Sequence, residues 1–135
     1  MEVKVESKIG LLRNDNGRVY YFLSDCNNFQ QFATNDKVKN WRSNSDSCNF
    51  SVDSVGDLGL HIVERREGEL IKFSIASSQA DNSFLWVQLK SADTGDTRLK
   101  LTVKSDVNPV VSMFVSKPLK SGLDKIVDTL EHIFK

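Results

Sequence analysis

Val3, Val5, Ser7 and Ile9 alternate with Lys4, Glu6 and Lys8, the period of a strand with one buried face. Asn14-Asp15-Asn16-Gly17 breaks that pattern and supplies N-cap candidates for a helix with the apolar stripe Val19, Tyr20, Phe22 and Leu23. Asp25 or Asn27 caps a second short helix carrying Phe29, Phe32 and Ala33. From Val38 the two-residue period returns. Val38 to Arg42 forms a short strand with Trp41, and Cys48, Phe50 and Val52 alternate with polar neighbours. So do Leu58, Leu60 and Ile62, then Ile71, Phe73 and Ile75, then Leu99, Leu101 and Val103. Phe84 to Lys90 is apolar on both faces: Phe84 and Trp86, with Gln88, on one, and Leu85, Val87 and Leu89 on the other. Periodicity leaves open which of those faces points inward.

Turn signals separate these runs: Val55-Gly56-Asp57, Glu67-Gly68-Glu69, Ala80-Asp81-Asn82 and Thr94-Gly95-Asp96. Short, regular connections predict an antiparallel meander. One apolar face per strand predicts a sheet covered on one side. The C-terminal segment supplies the cover. Asn108 is a good N-cap, Pro109 fits the first helical position, and Val111, Phe114, Val115, Leu119, Leu123, Ile126, Val127, Leu130 and Phe134 recur at helical spacing. A continuous helix from Pro109 to Lys135 would run about 40 Å. Pro118 is expected to kink or interrupt it, and Gly122 weakens the same region.

The chain's 135 residues fit one domain, residues 1–135, with a sizeable core. Lys+Arg and Asp+Glu are both 18, so the formal net charge is zero. That argues against nonspecific nucleic-acid binding, which needs basic surface, but leaves room for a local basic patch. No apolar run approaches a membrane span, and the charged first residues lack the apolar centre of a signal peptide, so a cytoplasmic location is expected. Cys26 and Cys48 have no metal-ligand or CxxC spacing and are expected to be free thiols. With two histidines, His61 and His132, a histidine-rich metal site is disfavoured, and nothing calls for a cofactor.

The order of elements (strand, two short helices, six further strands, long helix) covers essentially the whole chain and resembles the α+β helix-grip fold of the START/SRPBCC superfamily, which includes the birch pollen allergens and the polyketide cyclases. Val19-Tyr20-Tyr21-Phe22-Leu23-Ser24-Asp25, followed by Asn28-Phe29, resembles the V-x-x-F-L-x-D stretch at the first helix of polyketide-cyclase-like members. Phe84-Leu85-Trp86-Val87-Gln88-Leu89 with Thr97 to Leu101 resembles their last hairpin, and Lys117-Pro118-Leu119 resembles small uncharacterised bacterial members of Bacteroidetes type. None of these is a catalytic signature. The resemblance implies a curved antiparallel sheet wrapped around the last helix, with a cavity between them. Members bind lipids, sterols, polyketides or plant hormones there; some are cyclases or aromatases, and some regulate a chaperone.

On this reading the candidate cavity lining is Phe50, Leu60, Phe73, Trp86, Gln88, Leu101, Val110, Met113 and Phe114. The same side chains could instead close into a solid core. Gln88, if inward, needs a partner or a ligand. His61 has the parity of exposed residues, and His132 favours the end of the helix dipole. Asp25 could be a general base but is placed as a cap. Arg42, Asp46, Arg65 and Arg66 could gate a pocket mouth or be plain solvated surface. There is no justified catalytic triad and no phosphate-binding loop. The leading expectation is a non-enzymatic carrier or sensor of a small hydrophobic molecule, lipid-like or polyketide-like, as monomer or dimer. The alternatives are a cyclase or aromatase, and a ligand-free interaction module resembling the Hsp90-activator branch.

Overall fold

The computed structural model describes residues 1–32, 38–53 and 55–135, with all their side chains except those of 113–115. The strands are β1 (Glu2–Glu6), β2 (Gly10–Leu12), β3 (Val38–Ser43), β4 (Ser47–Val52), β5 (Gly56–Arg66), β6 (Leu70–Ser77), β7 (Ala80–Ser91) and β8 (Thr97–Asp106). Helix α1 spans Asn16–Leu23, a 3₁₀ segment spans Cys26–Phe32, and helix α2 spans Pro109–Ile133. All strands join one antiparallel sheet in the order β1-β8-β7-β6-β5-β4-β3, with β2 also paired to β8. The fold is α+β helix-grip.

The first strand does not run unbroken as its pattern predicts. The Ser7 amide donates to the Leu101 carbonyl at 2.8 Å, while the Leu101 amide donates to Ser7 Oγ at 2.9 Å. A side-chain hydroxyl thus takes over from a backbone carbonyl, and the ladder lapses until Gly10 pairs with Leu99. Ile9 falls in this gap and is 67% exposed, against the alternation that placed it inward. Carboxylates of α2 take up the amides released here: Lys8 N–H donates to Asp124 Oδ1 at 2.7 Å, and Leu11 N–H to Glu131 Oε2 at 3.0 Å.

Asp15 caps α1, accepting from Arg18 N–H at 3.0 Å, and Asn108 caps α2, accepting from Val111 N–H at 2.8 Å. Asp25 caps the 3₁₀ segment as expected, accepting from Asn27 N–H at 3.0 Å; Ala33 lies outside the described residues. Pro118 does not interrupt α2. It sits on the exposed side, where the carbonyl deprived of its donor can turn to water. Ala80-Asp81-Asn82 is likewise no turn. The chain reverses at Ser78-Gln79, and the polar triplet forms an irregularity inside β7, with Asn82 at φ 46°.

The core lies between the concave face of the sheet and the helices. Leu12, Val19, Ile71, Phe73, Leu99, Val127 and Leu130 are fully or almost fully enclosed. Leu23 of α1 and Leu123 of α2 belong to the same buried cluster.

Candidate functional site

Burial on the concave face is graded along the strands. Ile62 pairs with Phe73 and Val87 with Leu101, and all four are buried. One step toward the other end, Leu60 pairs with Ile75, and both are only half-buried. Phe50, Leu58 and Leu85 share that state. The two helix ends explain the gradient. Leu123, Val127 and Leu130 of α2, with α1, fill one end, whereas the other lies toward the first half of α2; Phe29 of the 3₁₀ segment packs on Phe73, ring centroids 5.7 Å apart.

Trp41 stands at this less filled end. Its ring stacks on Phe50, with centroids 5.4 Å apart and planes 19° from parallel. Its Nε1–H is buried and has no hydrogen-bond partner, the one such side-chain atom among the described residues. A buried indole donor normally finds an acceptor, because leaving it unmet costs about 1–3 kcal/mol. The same region of the concave face carries three hydroxyls: Ser77 pairs with Leu58 across the strands, Ser83 pairs with Ile75, and Ser83 Oγ lies 2.5 Å from Ser105 Oγ. Otherwise this end is apolar. Among the described residues no histidine, aspartate, glutamate or lysine sits on it; His61 is exposed on the opposite face.

The nine expected lining residues do not gather in one place. Phe50, Leu60, Phe73 and Leu101 lie on the concave face, with Phe73 and Leu101 locked into the filled core. Trp86 and Gln88 lie on the outer face, because Leu85, Val87 and Leu89 take the inward positions of β7. Gln88 is exposed and its Oε1 accepts from the Thr102 hydroxyl at 3.0 Å, so it has no part in the concave face. Val110 is 67% exposed in the first turn of α2, pointing away from the sheet. The side chains of Met113 and Phe114 lie outside those described. Trp41, Ser83 and Ser105 were missed. The parity of Trp41 with its strand neighbours was available, but a hydroxyl in a strand reads as an outward residue whichever way it points.

The proposed gate also resolves. Arg65 donates to Asp46 Oδ1 at 2.8 Å and to the Ser24 carbonyl at 2.9 Å, tying the end of α1 to the β3–β4 turn. Arg66 pairs with Glu64 at 2.7 Å, and Arg42 is exposed. Beside this clamp Cys26 and Cys48 are both fully buried free thiols. A hydrogen bond between them holds Cys48 below the ordinary thiol range and pushes Cys26 above it.

A surface groove of about 760 Å³ runs between β1 and α2, lined by Lys4, Glu6, Lys117, Lys120, Asp124 and Asp128 among others. Its walls are ion-paired, as between Lys120 and Asp124 at 3.0 Å. It shares no residue with the concave apolar end, and its charged lining does not suit an apolar molecule.

No family model matches the chain, and no curated protein matches it. Solved structures do. A protein of unknown function from Staphylococcus aureus superposes with a TM-score of 0.75 at 13% identity, covering 99% of this chain and 94% of that one. An uncharacterised protein from Bacillus thuringiensis gives 0.74 at 8% identity, covering 99% and 98%. The Aha1 dimer from Colwellia psychrerythraea gives 0.61 at 12% identity, covering 96% of each chain. These likenesses show the fold. Among the described residues, no helix is long and apolar enough to cross a membrane.

Proposed function

We propose that the protein is a non-enzymatic carrier or sensor of the START/SRPBCC kind, holding a small apolar molecule at the less filled end of its concave face. The observation that carries this reading is the buried, unmatched Nε1–H of Trp41 among half-buried apolar side chains. A ligand with an apolar body and one oxygen acceptor answers both features. Its body covers Phe50, Leu60, Ile75 and Leu85, and its oxygen accepts from the indole. Each Å² of apolar surface covered contributes about 25 cal/mol, before the costs of association. A cyclase-type reaction is less well served, since it needs an ionisable group at the reacting centre, and the described concave face offers only the two thiols behind the core.

The test is native mass spectrometry of gently purified protein, with solvent extraction and identification of any released molecule. A stoichiometric adduct bearing a carbonyl or hydroxyl oxygen supports the reading. A clean unliganded mass, with no rise in melting temperature across a panel of lipids and polyketides, counts against it and favours a closed interaction domain.

A further inference from the structure

The outer face of the sheet has a different chemistry. We propose that it binds single-stranded nucleic acid, through the aromatic pair Phe84 and Trp86 and the cations Lys72, Lys104, Lys90 and Arg98 that surround it.

Phe84 and Trp86 lie two residues apart on β7, so both project outward, with ring centroids 5.9 Å apart. Strand register sets cations on both sides. Lys72 of β6 pairs with Trp86, and Lys104 of β8 pairs with Phe84. Lys72 Nζ stands 4.5 Å from the centre of the Phe84 ring and 5.3 Å from that of Trp86, and Lys104 Nζ is 5.9 Å from Trp86. Farther along the same face, Lys90 pairs with Arg98.

The carboxylates nearby leave these cations free. Glu6 is held by Lys4 at 3.1 Å and Lys100 at 3.2 Å, and Glu64 by Arg66 at 2.7 Å. Lys72, Lys104, Lys90 and Arg98 have no ion-pair partner among the described residues, although Glu64 stands opposite Lys72, Glu6 opposite Thr102 beside Trp86, and Glu2 and Asp106 at one end of the face. The bonds from Lys4 and Lys100 depress the carboxyl of Glu6 below its ordinary range, in keeping with a positive local field. Zero net charge over the whole chain leaves room for this local cluster of cations.

Cations alone would fit any polyanion; the rings choose among them. Two neighbouring aromatic rings with ammonium groups over them present stacking platforms to successive splayed bases, while the displaced lysines turn to the phosphates. An acidic polypeptide has charge but nothing to stack. A duplex keeps its bases stacked on one another.

The test is fluorescence anisotropy with a labelled oligothymidine and oligouridine at low salt, beside the same sequence as a duplex and with polyglutamate as competitor. Four phosphate contacts predict that log K falls with log salt at a slope of about −3. K72E/K104E should weaken binding at least about tenfold, while the charge-matched K117E/K125E on α2 should change it less than about twofold. With Trp41 replaced by phenylalanine, Trp86 is the sole tryptophan, and its emission should be quenched as the oligonucleotide binds. Failure of any saturable binding, equal loss in the two double variants, or equal affinity for duplex or polyglutamate overturns the proposal. Circular dichroism checks the fold of the variants, and Lys72→Gln carries the test if K72E/K104E is unfolded. These outcomes are independent of whether the concave face holds a ligand.

Discussion

Gly10 and Val127 are in contact in a way that only glycine permits. A β-carbon on Gly10 would stand 2.5 Å from Val127 Cγ1, and Val127 is fully buried. Helix α2 lies directly against β2 at this point. Gly10→Ala is therefore expected to lower stability by about 1–3 kcal/mol through overpacking. Adding Val127→Ala should return part of that loss, so the two substitutions should be non-additive in a urea-unfolding double-mutant cycle. Additive losses would remove the contact from the account.

Trp41→Phe removes the unmatched donor while keeping most of the ring. The gain from deleting an unsatisfied buried N–H, about 1–3 kcal/mol, opposes the loss of ring volume, so unliganded stability should move by less than about 1 kcal/mol. Affinity for an extracted ligand should fall by roughly fivefold or more. Phe73→Ala, in the filled part of the core, should cost about 3–5 kcal/mol. Thermal melts with and without ligand separate these outcomes; a large loss of unliganded stability in Trp41→Phe would make the indole a packing element only.

Cys26 and Cys48 are enclosed, so a bulky thiol reagent should reach them only as fast as the protein opens. Labelling should accelerate with urea in step with unfolding. Rapid labelling of native protein at neutral pH would contradict this enclosure.

Asp124 accepts from the Lys8 amide and pairs with Lys120, which holds its carboxyl below the ordinary carboxylate range. The contribution is fully present above the unfolded value of about 4 and is lost as pH falls through the lower folded value. Asp124→Asn should lower the neutral plateau while leaving stability at the acid end little changed, so that the acid limb flattens. An unaltered acid limb in denaturant titrations across pH would assign acid sensitivity elsewhere.

The meander, the caps at Asp15 and Asn108 and the covering helix were legible because alternation, turn residues and helical spacing agree locally. The inward face of β7 was not. Lys72 and Lys104 shelter Phe84 and Trp86 on the outer side, so the strand is apolar on both faces and its own sequence cannot choose. Ser7 broke a strand that its alternation continued, through a bond to Leu101 that no local pattern reveals. The concave end was half legible. Phe50 and Leu60 followed from parity, whereas the value of Trp41 lies in an absent partner, which is a property of three-dimensional packing.

Strand β8 is held on its outer edge by β1 and β2, whose partners lie far away along the chain: Glu6 opposes Thr102, and Gly10 opposes Leu99. The hairpins from β3 to β8 can form from near neighbours, but the closing pair must bring together segments separated by most of the sequence. Loop closure of that length makes docking of the N-terminal strands a late event in folding. In pulsed hydrogen exchange, amides of β6 and β7 should gain protection before those of β1. A nascent chain would then carry an open edge along β8 until its own beginning returns to cover it.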